Sequence, residues 1–310
     1  MSTYTDVYTH NDIHIHITDD LHSRFIAFLD AKPKTVETYT RALRQFFVWL
    51  TKNGITKPER SDILAYRDEL KTRTKPATVQ NYVTVVRLFF KWTEAEGIYK
   101  NVAAHIKGAK IDGTHKKDPL TISQVQAVVS GIDRTTLKGA RDYAILLLMI
   151  SGGLRVIEVV RADIADFRTV GNSIRLFVQG KGKDEKIDIE IAESVENAIR
   201  EYLAKIPKKE KGQALFISVA KKNKGERLKA RSVSRIIKER LVFAGYDDSR
   251  LTAHSLRHTC ATQAILAGVS LERVQEHLRH TKITTTQIYT HALKRADNHT
   301  AAVVASALFG

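Results

Sequence analysis

The sequence has a single cysteine, Cys260, so no disulfide bond can form within the chain. This excludes a small disulfide-stapled secreted fold and favours a cytoplasmic protein with a reduced thiol. Long apolar runs are also missing, because the longest, at 144–150, is too short to cross a bilayer. The first 16 residues lack the basic and apolar regions of a signal peptide, so we expect no signal peptide and no insertion into a membrane.

Acidic residues are in deficit, with 34 Asp and Glu against 50 Lys and Arg, which gives a formal net charge of +16. This excess predicts a polyanionic partner, with nucleic acid as the first interpretation and an anionic membrane surface as the second. A basic, solvated surface without such a partner is the alternative. The hydrophobic content of 43% argues against a disordered chain, and the length of 310 residues suits two domains.

Helical signals cover the N-terminal part of the chain up to residue 104. A first helix is predicted from the aspartates at 19–20 through Ala31. Pro33 and Pro76 are each placed to begin a further helix, since proline fits the first turn. Residues 60–72 fit a helix between them.

The second and fourth predicted helices share the pattern T-V-x-x-Y-x-x-x-x-R-x-F-F-x-W, at 35–49 and at 78–92. The aromatic residues recur at helical spacing, so we assign them to a core and not to a base-stacking surface. Two copies do not indicate a solenoid. The basic residues of this part that are candidates for phosphate contact are Arg41, Arg44, Lys75 and Arg87.

The C-terminal part is mixed. Apolar strands are predicted at 174–179 and 186–191 around a glycine-rich turn, with helices on both sides in the sequence. The fold class is therefore mainly α, with a small antiparallel β-sheet in the second domain. The predicted parts are an N-terminal extension (1–19), a helical domain (20–104), a polar linker (105–118) and a second domain (119–310) with an apolar tail (301–309).

Four separated segments carry side chains suited to phosphate chemistry. In SGGLRVIE, Arg155 lies near a predicted helix start, and Glu158 is placed to hold its guanidinium. In QGKGKDEK, Lys181 lies between glycines at a predicted hairpin tip and can donate a proton to a leaving oxygen. In AHSLRHT, His254 and Arg257 lie on one helical face and can grip one phosphate.

Each of these segments also has an ordinary structural interpretation. Arg155 and Glu158 fit a surface ion pair, and Lys181 fits a solvated turn. His254 and His258 are four residues apart, as metal ligands can be, but no glutamate follows the first histidine as a zincin site requires. We therefore assign His258 to packing and predict no metal at this helix.

The fourth segment, LRHTKITTTQIY, places Tyr289 nine residues after His280. A tyrosine oxygen can attack phosphorus and stay attached as a covalent ester. Its ordinary pKa is about 10, so it needs cationic neighbours that stabilise the phenolate. Clustered arginines around a phosphate would supply that field. Taken alone, the tyrosine fits a packing role better, since most helical tyrosines are packing residues.

Taken in this order, the four segments resemble the signature boxes of the tyrosine recombinase (phage integrase) family. Those boxes read close to T-G-L-R-x-x-E, G-K-G-x-K, H-x-L-R-H-T and an L-G-H that leads to the tyrosine. The resemblance covers the C-terminal half of the chain. It implies that Arg155 and Arg257 clamp the scissile phosphate, with Glu158 orienting the first, and that His254 and His280 hydrogen-bond the phosphate.

The resemblance also implies a nucleophile and a proton donor. Tyr289 attacks and forms a 3′-phosphotyrosyl link, and Lys181 protonates the leaving 5′ oxygen. Lys183 and Lys186 are alternatives for the lysine role. No metal ion or cofactor is implied, because no water must be activated and the arginines take the place of a divalent cation.

At the level of the whole molecule, the resemblance implies two domains that form a C-shaped clamp on double-stranded DNA. It implies a homotetramer on two recombination sites, with a Holliday junction as intermediate and the tail at 301–309 docked on a neighbouring protomer. The short segment before the first helix favours an Xer-like or mobile-element integrase architecture without an arm-binding domain. The alternatives are a catalytically silent DNA-binding protein of this fold and a type IB topoisomerase-like enzyme.

Other features are less specific. Where the family pattern has glycine before the second histidine, this chain has Arg279, for which contact with DNA or with another subunit is the hypothesis. The basic run at 221–240 fits a helix that lies on DNA. The further DNA-binding candidates are Lys183, Arg231, Arg235 and Lys238, and the histidines that would allow an N-terminal metal site are His10, His14, His16 and His22.

Overall fold

The computed structural model describes residues 19–111, 117–180, 182–207, 212–290 and 300–309. These residues divide into two compact units, with the division between residues 114 and 115. The helices of the first unit are α1 (Asp19–Phe28), α2 (Pro33–Lys52), α3 (Arg60–Arg73) and α4 (Pro76–Ala95).

The core of the first unit lies between the two helices that share a sequence pattern. Phe46 of α2 meets Phe90 of α4 at 6.0 Å between ring centroids, and Phe47 meets Phe89 at 5.3 Å, both edge-to-face. All four rings are buried, so the assignment of these aromatics to a core is confirmed. Edge-to-face rings suit the quadrupole of aromatic side chains and add to the burial itself.

The first helix is shorter than predicted. It ends at Phe28 and not at Ala31. Lys32 has an extended backbone (φ −61°, ψ 146°), because the residue before Pro33 is disfavoured in the helical region. This sets Lys32 as the limit beyond which α1 cannot continue.

Residues 105–111, at the start of the predicted linker, pack on the first unit. Ile106 is buried in its core, and the carbonyl of Lys107 accepts a hydrogen bond from Arg67 Nη1 at 3.3 Å. Residues 112–116 of the predicted linker lie outside the described residues.

The second unit surrounds one apolar helix, α6, which buries Ala144, Ile145 and Leu148. Its continuous apolar sequence therefore reflects contact on several sides, chiefly with α8 and α10. The elements of this unit are α5 (Ile122–Ser130), α6 (Leu137–Ser151), α7 (Val156–Arg161), β1 (Phe167–Val170), β2 (Ser173–Gln179), β3 (Lys186–Glu190), α8 (Glu193–Ala204), α9 (Ala230–Phe243), α10 (Ala253–Leu266), α11 (Leu271–Leu278), α12 (Thr284–Gln287) and α13 (Thr300–Phe309).

A small antiparallel sheet in the order β1-β2-β3 confirms the predicted fold class. Leu176 and Val178 of the central strand point to the core, and Phe177 on the opposite face packs under the guanidinium of Arg168 at 4.0 Å. Strand β1 was not predicted. It pairs with β2 through a tight turn at Gly171, where φ is +60°.

The final described helix, α13, exposes all of its residues from 304 to 309. Leu308 and Phe309 are the most exposed of its large apolar side chains. Among the described helices, none is long and apolar enough to cross a membrane.

Candidate active site

Arg155 and Glu158 meet at the point where the chain leaves the central helix. Gly153 has φ +57° and turns the chain, after which Arg155 precedes α7. The Arg155 backbone N–H donates to Glu158 Oε2 at 2.8 Å, and Arg155 Nη1 donates to Oε1 at 2.9 Å. The predicted contact is therefore present, although α7 is only six residues long and the N–H that could bind an anion is already used.

The Glu158 carboxylate is fully buried, with an exposed fraction of 0%. Burial alone would raise its pKa. The charge of Arg279 and the hydrogen bonds from Arg155 outweigh that effect and hold the pKa of Glu158 below its usual range. The carboxylate is therefore ionised and can fix both guanidinium groups.

Arg257 of α10 is buried, with 1% exposed, and connects two backbone segments. Its Nη1 donates to the carbonyl of Gly153 and its Nη2 to the carbonyl of Leu278. Burial, with the nearby charges of Arg155 and Arg279, lowers the pKa of Arg257 to about 9. The group is still cationic at neutral pH, and each of its two Nη atoms has a second N–H to offer to an anion.

Three aromatic rings follow one another from α10 to the candidate nucleophile. His254 is exposed, and its ring lies 4.7 Å from that of His258, which in turn lies 5.3 Å from the ring of Tyr289. His258 is buried, as its assignment to packing predicts. Among the described residues, no group of three or more His, Cys, Asp or Glu side chains is placed to hold a metal ion.

His280 lies two residues after the end of α11 and is fixed by a threonine. Its Nδ1 lies 2.8 Å from Thr286 Oγ1, and its backbone N–H donates to the carbonyl of Gln275 at 3.0 Å. Burial lowers the pKa of His280 to about 4, with further lowering by the charges around it. The imidazole is therefore neutral at neutral pH, with one nitrogen that donates and one that accepts.

Tyr289 is buried, with 6% exposed, and its ring is nearly parallel to that of His280, at 6.4 Å between centroids and 10°. Helix α12 ends at Gln287, and the tyrosine lies in the turn that follows. Burial raises the pKa of Tyr289, and the charges of Arg257 and Arg155 oppose that rise. The phenol therefore has to lose its proton as it attacks.

The lysine position is only partly visible. Lys181 lies outside the described residues. Gly180, its neighbour in sequence, accepts a hydrogen bond through its carbonyl from Arg161 Nη1 at 3.0 Å. Lys186 is bound by two carboxylates, Asp166 at 2.6 Å and Asp163 at 3.2 Å, so the alternative that gives it the proton-donor role is not supported.

Two residues of the site were missed as contributors by sequence reasoning. Thr286 is fully buried and holds His280, and its signal was its place in the T-x-x-Y end of the fourth segment. Arg279 was predicted to contact DNA or another subunit, but its side chain is only 7% exposed and binds Glu158. No sequence signal predicted that the Arg279 side chain points inward, because this orientation follows from the backbone conformation.

The remaining basic candidates lie at surfaces and differ in how they are held. Lys238 donates to the carbonyl of Asp248 at 2.9 Å and pairs with Asp247 at 2.9 Å. Arg235 pairs with Glu239 at 3.6 Å. The candidates that are exposed are Arg41, Arg44, Lys75, Arg87, Lys183, Arg231 and Arg235.

Curated relatives match about half of this chain. It is 34% identical over 181 residues to tyrosine recombinase XerD of Staphylococcus epidermidis, which covers 57% of this chain and 59% of the relative. It is 40% identical over 152 residues to tyrosine recombinase XerC of Corynebacterium glutamicum, covering 49% of this chain and 46% of the relative. The chain thus matches about half to three-fifths of the length of these relatives.

Solved structures share the fold. XerH site-specific recombinase bound to a palindromic difH substrate superposes with a TM-score of 0.69 at 21% identity, covering 86% of this chain and 79% of that one. A lambda integrase tetramer bound to a Holliday junction gives 0.70 at 19% identity, covering 90% and 78%. At such identities, the likeness establishes the fold alone.

The family models cover both units. Residues 20–98 match the phage integrase N-terminal SAM-like domain. Residues 119–296 match the phage integrase family itself, and this span contains every residue of the site described above. Since that match takes in more than half of the 310 residues, the chain belongs to the phage integrase family.

Proposed function

We propose that this protein is a site-specific DNA recombinase, a metal-independent strand transferase that cuts and rejoins DNA through Tyr289. The observation that carries the proposal is the charge pattern around one buried phenol. Arg155 and Arg257 supply two cations, and the neutral His280 lies beside the tyrosine ring. Such a preorganised cationic site stabilises the charge that develops on a phosphate during transfer.

In the proposed reaction, the Tyr289 oxygen bonds to phosphorus, and its proton passes to the neutral imidazole of His280. Arg155 and Arg257 hold the non-bridging oxygens, and His254 donates a hydrogen bond from the exposed start of α10. The bond from phosphorus to the 5′ oxygen breaks, and Lys181 protonates that oxygen. The 5′ hydroxyl of a second strand then attacks the 3′-phosphotyrosyl link and releases the tyrosine.

The partners follow from this chemistry. The substrate is double-stranded DNA with recombination sites, bound by a helical domain at 20–104 and a catalytic domain at 119–310 that close on it as a clamp. A homotetramer on two sites passes through a Holliday junction, in integration or excision of a mobile element or in Xer-type resolution. The exposed apolar side chains of α13 support docking of the tail on a neighbouring protomer. We place this activity in the cytoplasm, with its DNA.

The test is covalent capture on nicked DNA. Duplexes that the protein binds are first selected from a random library, and the best is rebuilt with a nick that lets the cleaved end diffuse away. Wild type and Tyr289→Phe are incubated with this substrate in EDTA and resolved on a denaturing gel. We expect a protein–DNA band for wild type and none for the variant, with equal binding of the intact duplex.

Other outcomes would overturn the proposal in distinct ways. The same band in Tyr289→Phe would move the nucleophile to another residue. Binding without a band in wild type would favour the catalytically silent DNA-binding protein. Relaxation of supercoiled DNA without preference for the selected site would favour the topoisomerase-like enzyme.

A further inference from the structure

Arg279 occupies a backbone position that suits glycine. Its φ is +56° and its ψ is 44°, in the left-handed region that side chains disfavour. It follows α11 directly and precedes His280, at the position where the quoted family pattern has glycine. An arginine here costs stability in the backbone.

The Arg279 side chain folds back into the protein. Its Nη2 donates to Glu158 Oε2 at 2.9 Å and to the carbonyl of Gly153 at 3.2 Å. Its Nη1 donates to the carbonyl of His277 at 2.6 Å. One guanidinium thus joins the turn after α6, the end of α11 and the buried carboxylate. Its Nε is buried and has no hydrogen-bond partner among the described residues.

The contact with Glu158 divides that carboxylate between two arginines. Oε1 accepts from Arg155 Nη1, and Oε2 accepts from Arg279 Nη2 and from the Arg155 backbone. A carboxylate held in this way cannot turn to bind both Nη atoms of Arg155 as a bidentate pair. Arg155 Nη2 makes only a long contact, 3.4 Å, with the carbonyl of Arg279, so its N–H groups are left for an anion.

Arg279 also adds a third guanidinium to the field at His280. The charged and titratable groups that act on His280 are Arg155 before α7, Arg257 and His254 on α10, and Arg279 itself. Burial and this field lower the pKa of His280 to about 4. Removal of Arg279 takes away one of these charges and must raise that pKa.

We propose that Arg279 is a positioning residue of the strand-cleaving site, which holds Glu158 so that Arg155 presents its free N–H groups to the scissile phosphate. The proposal rests on the proposed function, since it assigns Arg279 a part in that reaction. Arg279 itself acts through Glu158, Arg155 and His280 and need not touch DNA.

Four variants separate geometry from charge. Arg279→Gly and Arg279→Asn both tolerate the left-handed backbone and remove the cation. Arg279→Lys keeps a cation but lacks the planar fork that binds a carboxylate and two carbonyls. Arg273→Asn is the control, because it removes an exposed arginine from α11, the helix that Arg279 follows. The probe is the selected nicked duplex, and thermal unfolding checks that each variant folds.

For Arg279→Gly and Arg279→Asn we expect covalent complex to form on the order of 10- to 100-fold more slowly, with unchanged affinity for the duplex. The rate requires a neutral His280. The acidic limb of the pH–rate profile therefore moves to higher pH in both variants. Arg279→Lys slows the reaction with a smaller shift of the limb. NMR titration of labelled His280 in the free protein reports the same change without DNA.

A purely structural role would change stability and leave the pH profile where it is. The inference is overturned if Arg279→Gly and Arg279→Asn keep the rate and the pH profile of the wild-type protein. No covalent complex with wild type is a separate result, since it removes the proposed function. In that case the NMR titration still shows whether the charge of Arg279 lowers the pKa of His280. An unchanged pKa of His280 in Arg279→Gly would reject that role for Arg279.

Discussion

At the scale of single residues, the sequence predicted which side chains would meet better than it predicted their environment. The pairing of Arg155 with Glu158 followed from their spacing and is present. The inward turn of Arg279 did not follow, because it depends on a left-handed backbone and on a buried carboxylate. The protonation state of His280 could not be predicted from the sequence either, since it depends on burial and on charges from other segments of the chain.

The depressed pKa of His280 makes folding stability depend on pH. The folded pKa is about 4 and the ordinary value is 6.5, so between these values the unfolded chain binds a proton that the folded protein does not. The contribution of His280 to stability is therefore fully present above the ordinary pKa and is lost as pH falls toward about 4. We expect wild type to lose more unfolding free energy than His280→Asn between about pH 7.5 and about pH 5.

Urea unfolding of both proteins at the two pH values measures this difference. The comparison removes the contribution of the other histidines, which are present in both proteins. It also removes the intrinsic cost of the substitution, because only the change with pH is compared. An equal loss in wild type and His280→Asn would show that the site does not exclude the charged imidazole.

At the scale of helices and strands, local signals predicted most boundaries. Pro33 and Pro76 begin α2 and α4, as their fixed φ and missing N–H require. Strand β1 was missed although Gly171 and Asn172 form a recognisable hairpin turn, because its exposed sequence lacks an apolar run. Tyr289 lies in a turn after α12, and nothing local in the sequence marks this turn, which places the phenol beside His280.

The turn after α6 has a steric requirement that a matched pair of glycines can test. A Cβ at Gly153, where φ is +57°, would lie 2.6 Å from Leu278 Cδ2 and 3.2 Å from Cys260 Sγ. Gly268 also has a positive φ, +82°, but a Cβ there would meet nothing within 4 Å. Both Ala variants incur the left-handed backbone cost of about 1–2 kcal/mol.

We expect Gly153→Ala to lose about 1–3 kcal/mol more unfolding free energy than Gly268→Ala, because only the first is also overpacked. Urea unfolding of the two variants gives the comparison within one compact unit. The Gly153 carbonyl accepts from Arg257, so strand cleavage should fall in the first variant alone. Equal destabilisation would mean that Leu278 moves aside without cost.

At the scale of the whole molecule, composition predicts a polyanionic partner but not the surface that binds it. The net charge of +16 counts every basic residue alike. The structure separates them, because some are held by acidic neighbours and others are exposed. On α9, Arg231 is exposed, whereas Lys238 is bound by Asp247 and by the carbonyl of Asp248. Sequence spacing placed both on one candidate DNA-binding face and could not rank them.

The ranking leads to a prediction about salt dependence. A basic side chain that contacts a phosphate displaces a counterion from DNA, so its loss lowers the slope of log affinity against log salt by about 0.9. We expect this decrease for Arg231→Ala. For Lys238→Ala we expect no measurable change, since its ammonium is already bound. Fluorescence anisotropy of the selected duplex over about 50–200 mM salt measures both slopes. Unchanged slopes in both variants would place α9 away from the DNA, and a decrease for Lys238→Ala alone would show that DNA binding breaks its pair with Asp247.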